Sequence, residues 1–236
     1  LDTLSYIMAV EELSRVDGST AATIAADNSL GISPIKEYGT KEQKEKYLPR
    51  LCKTHLWGFG LTEETAGCDS RGTKSTARME GDKWILNGTK IFITNSATPM
   101  TLGSTVQVIS GENNGKPEFT TFLMENDTPG FTQEPMNRKM MWRASNTGKL
   151  TFNNVELPKE NMLGAPGQGS HIMLATLDGG RLSIAAMALG CAQGAYEMAL
   201  AYSKEREQFG KQICKFQAVS FKLADMAMKI EPARCL

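Results

Sequence analysis

At 236 residues the chain is long enough for one large domain or two smaller ones around a substantial apolar core. Its 26 basic and 26 acidic residues cancel, which excludes a global field directed at nucleic acid or an anionic membrane surface. Five cysteines without Cys-x-x-Cys spacing, and only two histidines (His55 and His171), argue against a metal site or a histidine-based triad.

Such cysteine usage suits reduced thiols in a cytoplasm or mitochondrial matrix, and neither a secretory signal nor a long uninterrupted apolar segment is read. Residues 1–56 read as helical. Tyr6, Ile7, Val10 and Leu13 recur at helical spacing, which predicts Glu11 and Glu12 on the opposite side. Residues 21–26 predict a small-residue helix that allows close contacts. Thr40-Lys-Glu-Gln43 has capping-box form and predicts a helix through Tyr47 and Leu48, with a bend or stop at Pro49.

From Trp57 the pattern changes to short strands, at 77–79, 84–86, 90–94, 105–109, 120–124 and 149–152. Asn87-Gly88 predicts a hairpin turn, because both residues tolerate positive φ. Short strands with regular turn signals predict a small barrel or sandwich. Past the Gly-rich loop at 163–169 the helical period returns, with one long helix from 173 to about 204. A second, over 216–236, should be kinked or ended by Pro232. Helices, strands, then helices make an α+β pattern, divided at 1–56, 57–165 and 166–236. Both chain ends fall inside helical periodicity, so the chain is expected to be an internal piece of a longer protein.

Three segments in order carry a family likeness. Phe59-Gly-Leu-Thr-Glu-Glu-Thr-Ala-Gly-Cys-Asp69, followed by Trp84-Ile-Leu-Asn-Gly-Thr-Lys-Ile-Phe-Ile-Thr-Asn95, resembles the flavin-binding middle domain of the acyl-CoA dehydrogenases. Leu177-Asp-Gly-Gly-Arg181, Arg206-Glu-Gln-Phe-Gly-Lys211 and Phe216-Gln217 look like the start of that family's C-terminal helical domain. The resemblance implies N-terminal helices, a central β-barrel-like domain and a C-terminal four-helix bundle. It also implies FAD as cofactor, an acyl-CoA substrate, an electron-transfer flavoprotein as acceptor, and a homo-oligomer, typically a tetramer.

Site roles follow from the same likeness. Phe59, Leu61 and Thr62 would lie against the flavin, with Thr62 bonding a ring heteroatom. Phe92 would stack on the ring and Thr94 bond its edge. Small residues such as Ala66 and Gly67 let backbone N–H groups approach an anion, and Cys68 would face phosphate or the CoA arm. Arg206, Gln208, Phe209 and Gln217 would reach the FAD of a neighbouring subunit. Asp178 and Arg181 would contact the pantetheine arm and organise the acyl end. The chain departs from the family pattern at Glu64 (usually proline), Cys68 (usually a hydroxyl residue) and Met141 (usually glycine). A thiol is a weak donor, and Met141 would be strained at a positive φ.

The family's base is usually a glutamate late in the bundle, and in a minority the residue before the arginine matching Arg181. Here that residue is Gly180, so no catalytic base is expected in the chain and it is placed after Leu236; Glu63 reads as structural. Gly180 and its surroundings resemble the short-chain or butyryl-CoA dehydrogenase branch. The isolated 236 residues are expected to hold flavin weakly and not to turn over. Two other readings stand beside this one. A non-catalytic scaffold or interaction subunit is motivated by Glu64, Cys68 and Met141; the other is a flavin oxidase or hydroxylase on the same fold.

Overall fold

The computed structural model describes residues 2–236. They form two compact units: residues through Ala22 together with Arg181–Leu236, and Thr23–Gly180.

Helices α1 (Thr3–Val16) and α2 (Gly18–Ala26) are separated by Asp17. Its carboxylate caps α2, accepting from Ser19 N–H at 3.0 Å and Thr20 Oγ1 at 2.6 Å. A π-helical turn, Asp27–Ile32, leads into α3 (Ser33–Tyr38) and α4 (Lys41–Leu51). The capping box at Thr40 and Gln43 is formed as the sequence predicts, and α4 continues two residues past Pro49.

The strands are β1 (Leu56–Gly60), β2 (Thr76–Glu80), β3 (Lys83–Thr94), β4 (Thr101–Asn113), β5 (Lys116–Glu125), β6 (Phe131–Pro135), β7 (Thr147–Pro158) and β8 (Met162–Leu163). They make one sheet in the order β6-β7-β3-β2-β4-β5-β8, with β1 added parallel to β4. One apolar cluster packs Leu86, Val108, Phe122, Leu150 and Val155 between strands. A second joins Ile35, Tyr47 and Leu51 of the helices to Trp57, Leu123 and Ile172. The helices on either side of the strands in sequence therefore share one core with the sheet.

One turn prediction fails. Asn87-Gly88 is not a hairpin, because β3 runs unbroken through it and shifts register against β7 between Leu86 and Gly88. The positive-φ tolerance serves a bulge instead: Gly88 sits at φ 143°, where a β-carbon would collide with Ser75. Asn87 Oδ1 accepts from Asn154 N–H at 2.9 Å across the bulge, bonding that a turn residue would have left to solvent. The true hairpins turn at Gly81 and at Asn114-Gly115, where φ is positive at both residues. Met141 does not take a positive φ; Arg138 and Trp142, on either side of it, do.

In the other unit, α5 (Gly169–Glu205) supplies its C-terminal part, followed by a tight hairpin of β9 (Glu207–Gln208) and β10 (Lys211–Gln212), then α6 (Gln217–Cys235). The hairpin turns on Phe209 and Gly210, both at positive φ. α1 buries Val10 and Ser14, while Leu13 is exposed and Glu11 half-buried, which corrects the predicted facing. Gly190 and Gly194 explain this: β-carbons there would strike Ser14 and the Arg15 carbonyl, so only a small residue fits the contact. Pro232 does not end α6, which runs on to Cys235; the nearby side chains are exposed, and water can bond the carbonyl the proline leaves free. By length and composition α5 is also apolar enough to cross a membrane, a property the sequence reading missed.

Candidate cofactor cleft

Within the Thr23–Gly180 unit, six of the predicted site residues line one cleft of about 240 Å³: Phe59, Leu61, Thr62, Gly67, Phe92 and Thr94. Ala26, Leu30, Trp57, Ile93 and Leu177 complete its lining. Three elements bring these residues together.

The first is β1. Trp57 is fully buried, its indole N–H donating to Thr105 Oγ1 at 2.9 Å and its backbone N–H to Asp27 Oδ1 at 2.9 Å. Gly58 lies so close to β4 that a β-carbon would meet Ser104 Oγ. The strand is thus pressed flat against β4, and Phe59 and Leu61 come out at the cleft.

The second is the loop after β1. Glu63 and Ala66 exchange backbone hydrogen bonds at 2.9 and 3.2 Å, closing a tight turn. Gly67 follows it, exposed, and a β-carbon there would meet nothing within 4 Å. Backbone N–H groups beside such open space suit an anionic group. Cys68 is exposed and does not line the cleft.

The third is β3. After the bulge at Gly88 the strand shifts register against β7 a second time, between Lys90 and Ile93. Phe92 adopts φ 59° and is 62 % exposed, although both flanking isoleucines are buried. A left-handed phenylalanine inside a strand is strained, and such strain concentrates at functional sites. The cleft therefore has flat apolar walls, with hydroxyls at Thr62 and Thr94 as its polar points. Among the described residues no carboxylate lines it.

Two charged residues that site reasoning passed over lie beneath this surface. Burial pushes the Asp27 carboxyl up to about 6, against the lowering effect of the Trp57 N–H. Burial likewise pulls the Lys90 ammonium down to about 8. Burial alone would raise its partner Glu63, but Lys90 and donors from Lys74 and Ser75 hold that carboxyl below its usual range. Neither Asp27 nor Lys90 announces itself in sequence: one follows an alanine run, the other sits in an alternating strand.

The remaining predicted residues are elsewhere. Asp178 and Arg181 are exposed on α5, next to the lining residue Leu177. At Gly180 a β-carbon would come within 2.8 Å of Leu30 Cδ2. Arg206, Gln208, Phe209 and Gln217 belong to the helical unit and are all exposed. Phe209 is 91 % exposed, with its ring edge-on to Phe216 at 6.1 Å.

Family models of the acyl-CoA dehydrogenase N-terminal, middle and C-terminal domains match residues 1–55, 58–155 and 167–236. The chain belongs to the acyl-CoA dehydrogenase family. Among its relatives, the short-chain specific acyl-CoA dehydrogenase of Megasphaera elsdenii is 48% identical over 237 residues, covering 100% of this chain and 61% of the relative. A chain from the structure of the electron transferring flavoprotein of Acidaminococcus fermentans, described for flavin-based electron bifurcation, superposes with TM-score 0.93 at 49% identity. That match covers 99% of this chain and 61% of the other. A glutaryl-CoA dehydrogenase from Mycobacterium smegmatis in complex with FADH2 superposes with TM-score 0.91 at 35% identity, over 99% of this chain and 58% of that one. The chain thus spans about three fifths of the length of these proteins.

Proposed function

We propose that the protein carrying this chain catalyses FAD-dependent α,β-dehydrogenation of a short-chain acyl-CoA, with electrons passing on to an electron-transfer flavoprotein. The observation that carries the reading is the cleft: two aromatic walls, two threonine hydroxyls and an open glycine turn converge on one space. These groups fit a flavin. Phe59, Leu61 and Phe92 offer apolar contact to a flat ring, Thr62 and Thr94 offer hydroxyls to its polar edge, and the turn at Gly67 leaves room for a phosphate. The M. elsdenii relative, short-chain specific by name, supports the substrate class.

When bound, FAD would supply the acceptor for the hydride that leaves the substrate β-carbon. The chain's own residues would orient the ring and exclude water from its apolar side. The α-proton needs a base, and among the described residues no carboxylate lines the cleft; we place it in a part of the protein that follows Leu236. Asp178 and Arg181 would hold the CoA arm. Arg206, Gln208, Phe209 and Gln217 would act across a subunit boundary, which requires an oligomer, and the family's typical tetramer is the assembly proposed.

The test is an anaerobic titration of the full-length protein with butyryl-CoA, following the visible flavin band. Bleaching of that band, strongest for short acyl chains, is the expected result. A flavin band indifferent to every acyl-CoA would overturn the substrate assignment and favour an oxidase-like role. A colourless protein that takes up no FAD would favour a scaffold.

A further inference from the structure

The cleft's loop and its strand wall meet over one buried ion pair. Lys90 has no exposed surface; its Nζ donates to Glu63 Oε1 at 2.7 Å and to the Leu61 carbonyl at 3.2 Å. Glu63 Oε1 also accepts from Ser75 Oγ at 2.7 Å and Ser75 N–H at 3.2 Å, and Oε2 accepts from Lys74 N–H at 2.8 Å. One carboxylate thus ties together the loop after β1, the approach to β2, and β3.

Stability alone does not account for such a pair. Replacing a buried ion pair by apolar residues of similar size is often neutral or stabilising, because desolvation offsets the attraction. What the pair supplies is fixed geometry. In an unbroken strand, residues 90 and 92 would face the same side. Here the register shift separates them: Ile91 N–H turns to the Thr62 carbonyl at 2.9 Å, Lys90 goes under the loop, and Phe92 is left open at the cleft. The same bulge sets both the strand wall and the anchor of the opposing loop.

We propose that Lys90 and Glu63 are positioning residues for the cofactor cleft, fixing the spacing between Thr62 and Gly67 on the loop and Phe92 on β3. The proposal rests on the flavin reading above. Neither residue touches the cofactor; they act through Leu61, Thr62 and the Glu63–Ala66 turn.

A comparison of Lys90→Met with the double variant Lys90→Met/Glu63→Met, in the full-length protein, separates positioning from mere structural support. The single variant strands the Glu63 carboxylate and should lower the melting temperature. The double variant removes both charges and should recover much of it. If the pair positions the cleft, FAD affinity does not recover with stability, and the double variant binds FAD at least about tenfold more weakly than the parent. Recovery of FAD affinity together with stability would overturn the proposal.

Should the methionine variants fail to fold, Glu63→Gln serves instead. Its amide keeps an acceptor for Lys90 but turns an N–H toward Lys74 N–H. Weakened FAD binding with a shifted visible flavin band is expected, and an unchanged affinity and band would refute the assignment. Amide exchange on flavin-free protein keeps the two readings apart. A parent that binds no FAD sinks the flavin reading. Faster exchange confined to residues 61–68 in the variant still supports the anchoring, whereas unaltered or uniformly raised exchange defeats it.

Discussion

The two compact units differ in how their candidate residues are held. In Thr23–Gly180, six of them converge on one cleft in a unit that holds buried charges and two apolar clusters. In the helical unit, Arg206, Gln208, Phe209 and Gln217 all lie exposed, as do apolar side chains such as Met198, Phe221 and Met228. One region gathers its candidate residues from two strands and the loop after the first. The other presents its candidates to solvent, where the proposed role requires a second molecule. Substitutions should therefore read out differently: as folding energy and loop order in the first, as binding in the second.

The largest contrast is expected between two cations. Lys90→Met leaves a buried carboxylate unpaired and should lower unfolding free energy by about 3–5 kcal/mol in urea denaturation. Arg234 pairs with Glu11 at 3.0 Å and Glu231 at 2.8 Å, but in partly exposed positions. Arg234→Met should change stability by no more than about 1 kcal/mol. Equal losses would break the comparison, because they would mean the helical unit holds its charges as firmly as the cleft does.

Asp27 sharpens the picture by running the other way. Burial pushes its folded-state carboxyl up to about 6 from an ordinary 3.8, so the native fold favours the protonated form. Its contribution to stability is present at low pH and is lost as pH rises through about 6. Asp27→Asn keeps an acceptor for Trp57 N–H at 2.9 Å and removes the buried charge. It should raise stability above pH 6 by up to about 3 kcal/mol, with the gain vanishing below pH 4. A pH-independent difference between variant and parent, measured by thermal melts across pH 4–8, would remove Asp27 from the account of the cleft.

In the helical unit the comparable probe is steric. Gly194→Val forces α1 away from α5, since a β-carbon there meets the Arg15 carbonyl. A loss of about 1–3 kcal/mol is expected, with flavin-free amide exchange raised in α1 but not in β3. Spread of the effect into β3 would contradict the separate behaviour of the two units.

How much of this was legible in sequence depends on what each residue answers to. The capping box at Thr40 and the strands around Val106, Phe122 and Leu150 follow local rules, and they form as read. Asn87-Gly88 shows where a local rule runs out: positive-φ tolerance is visible in sequence, but a turn and a bulge use it alike, and only pairing with β7 decides between them. β6 went unread because Phe-Thr-Gln-Glu-Pro is short and polar; it exists through pairing with β7. The hairpin at 207–212 hid behind its charges. The cleft residues were found by family likeness, whereas Lys90 and Asp27 were not found at all. A lysine in an alternating strand is ordinarily a solvated one, and its burial depends on a loop nearly thirty residues away in the chain.

The smallest expected effect on folding tests the exposed residues themselves. Phe209 occupies a left-handed turn position, φ 54°, next to Gly210 at φ 72°, a place where asparagine is preferred. Its ring is 91 % exposed, so little burial offsets the backbone strain. Phe209→Asn should therefore leave stability within about 0.5 kcal/mol of the parent, or raise it slightly. We propose that this exposed phenylalanine serves in contact with another molecule. If that molecule is the FAD of a neighbouring subunit, the variant binds FAD more weakly while keeping its melting temperature in the flavin-free form. Arg206→Met should do the same through loss of a charge-assisted contact to phosphate. Unchanged FAD affinity in both variants, measured by flavin fluorescence on the assembled protein, would detach this hairpin from the cofactor and leave the cleft in the Thr23–Gly180 unit as the whole of its binding site.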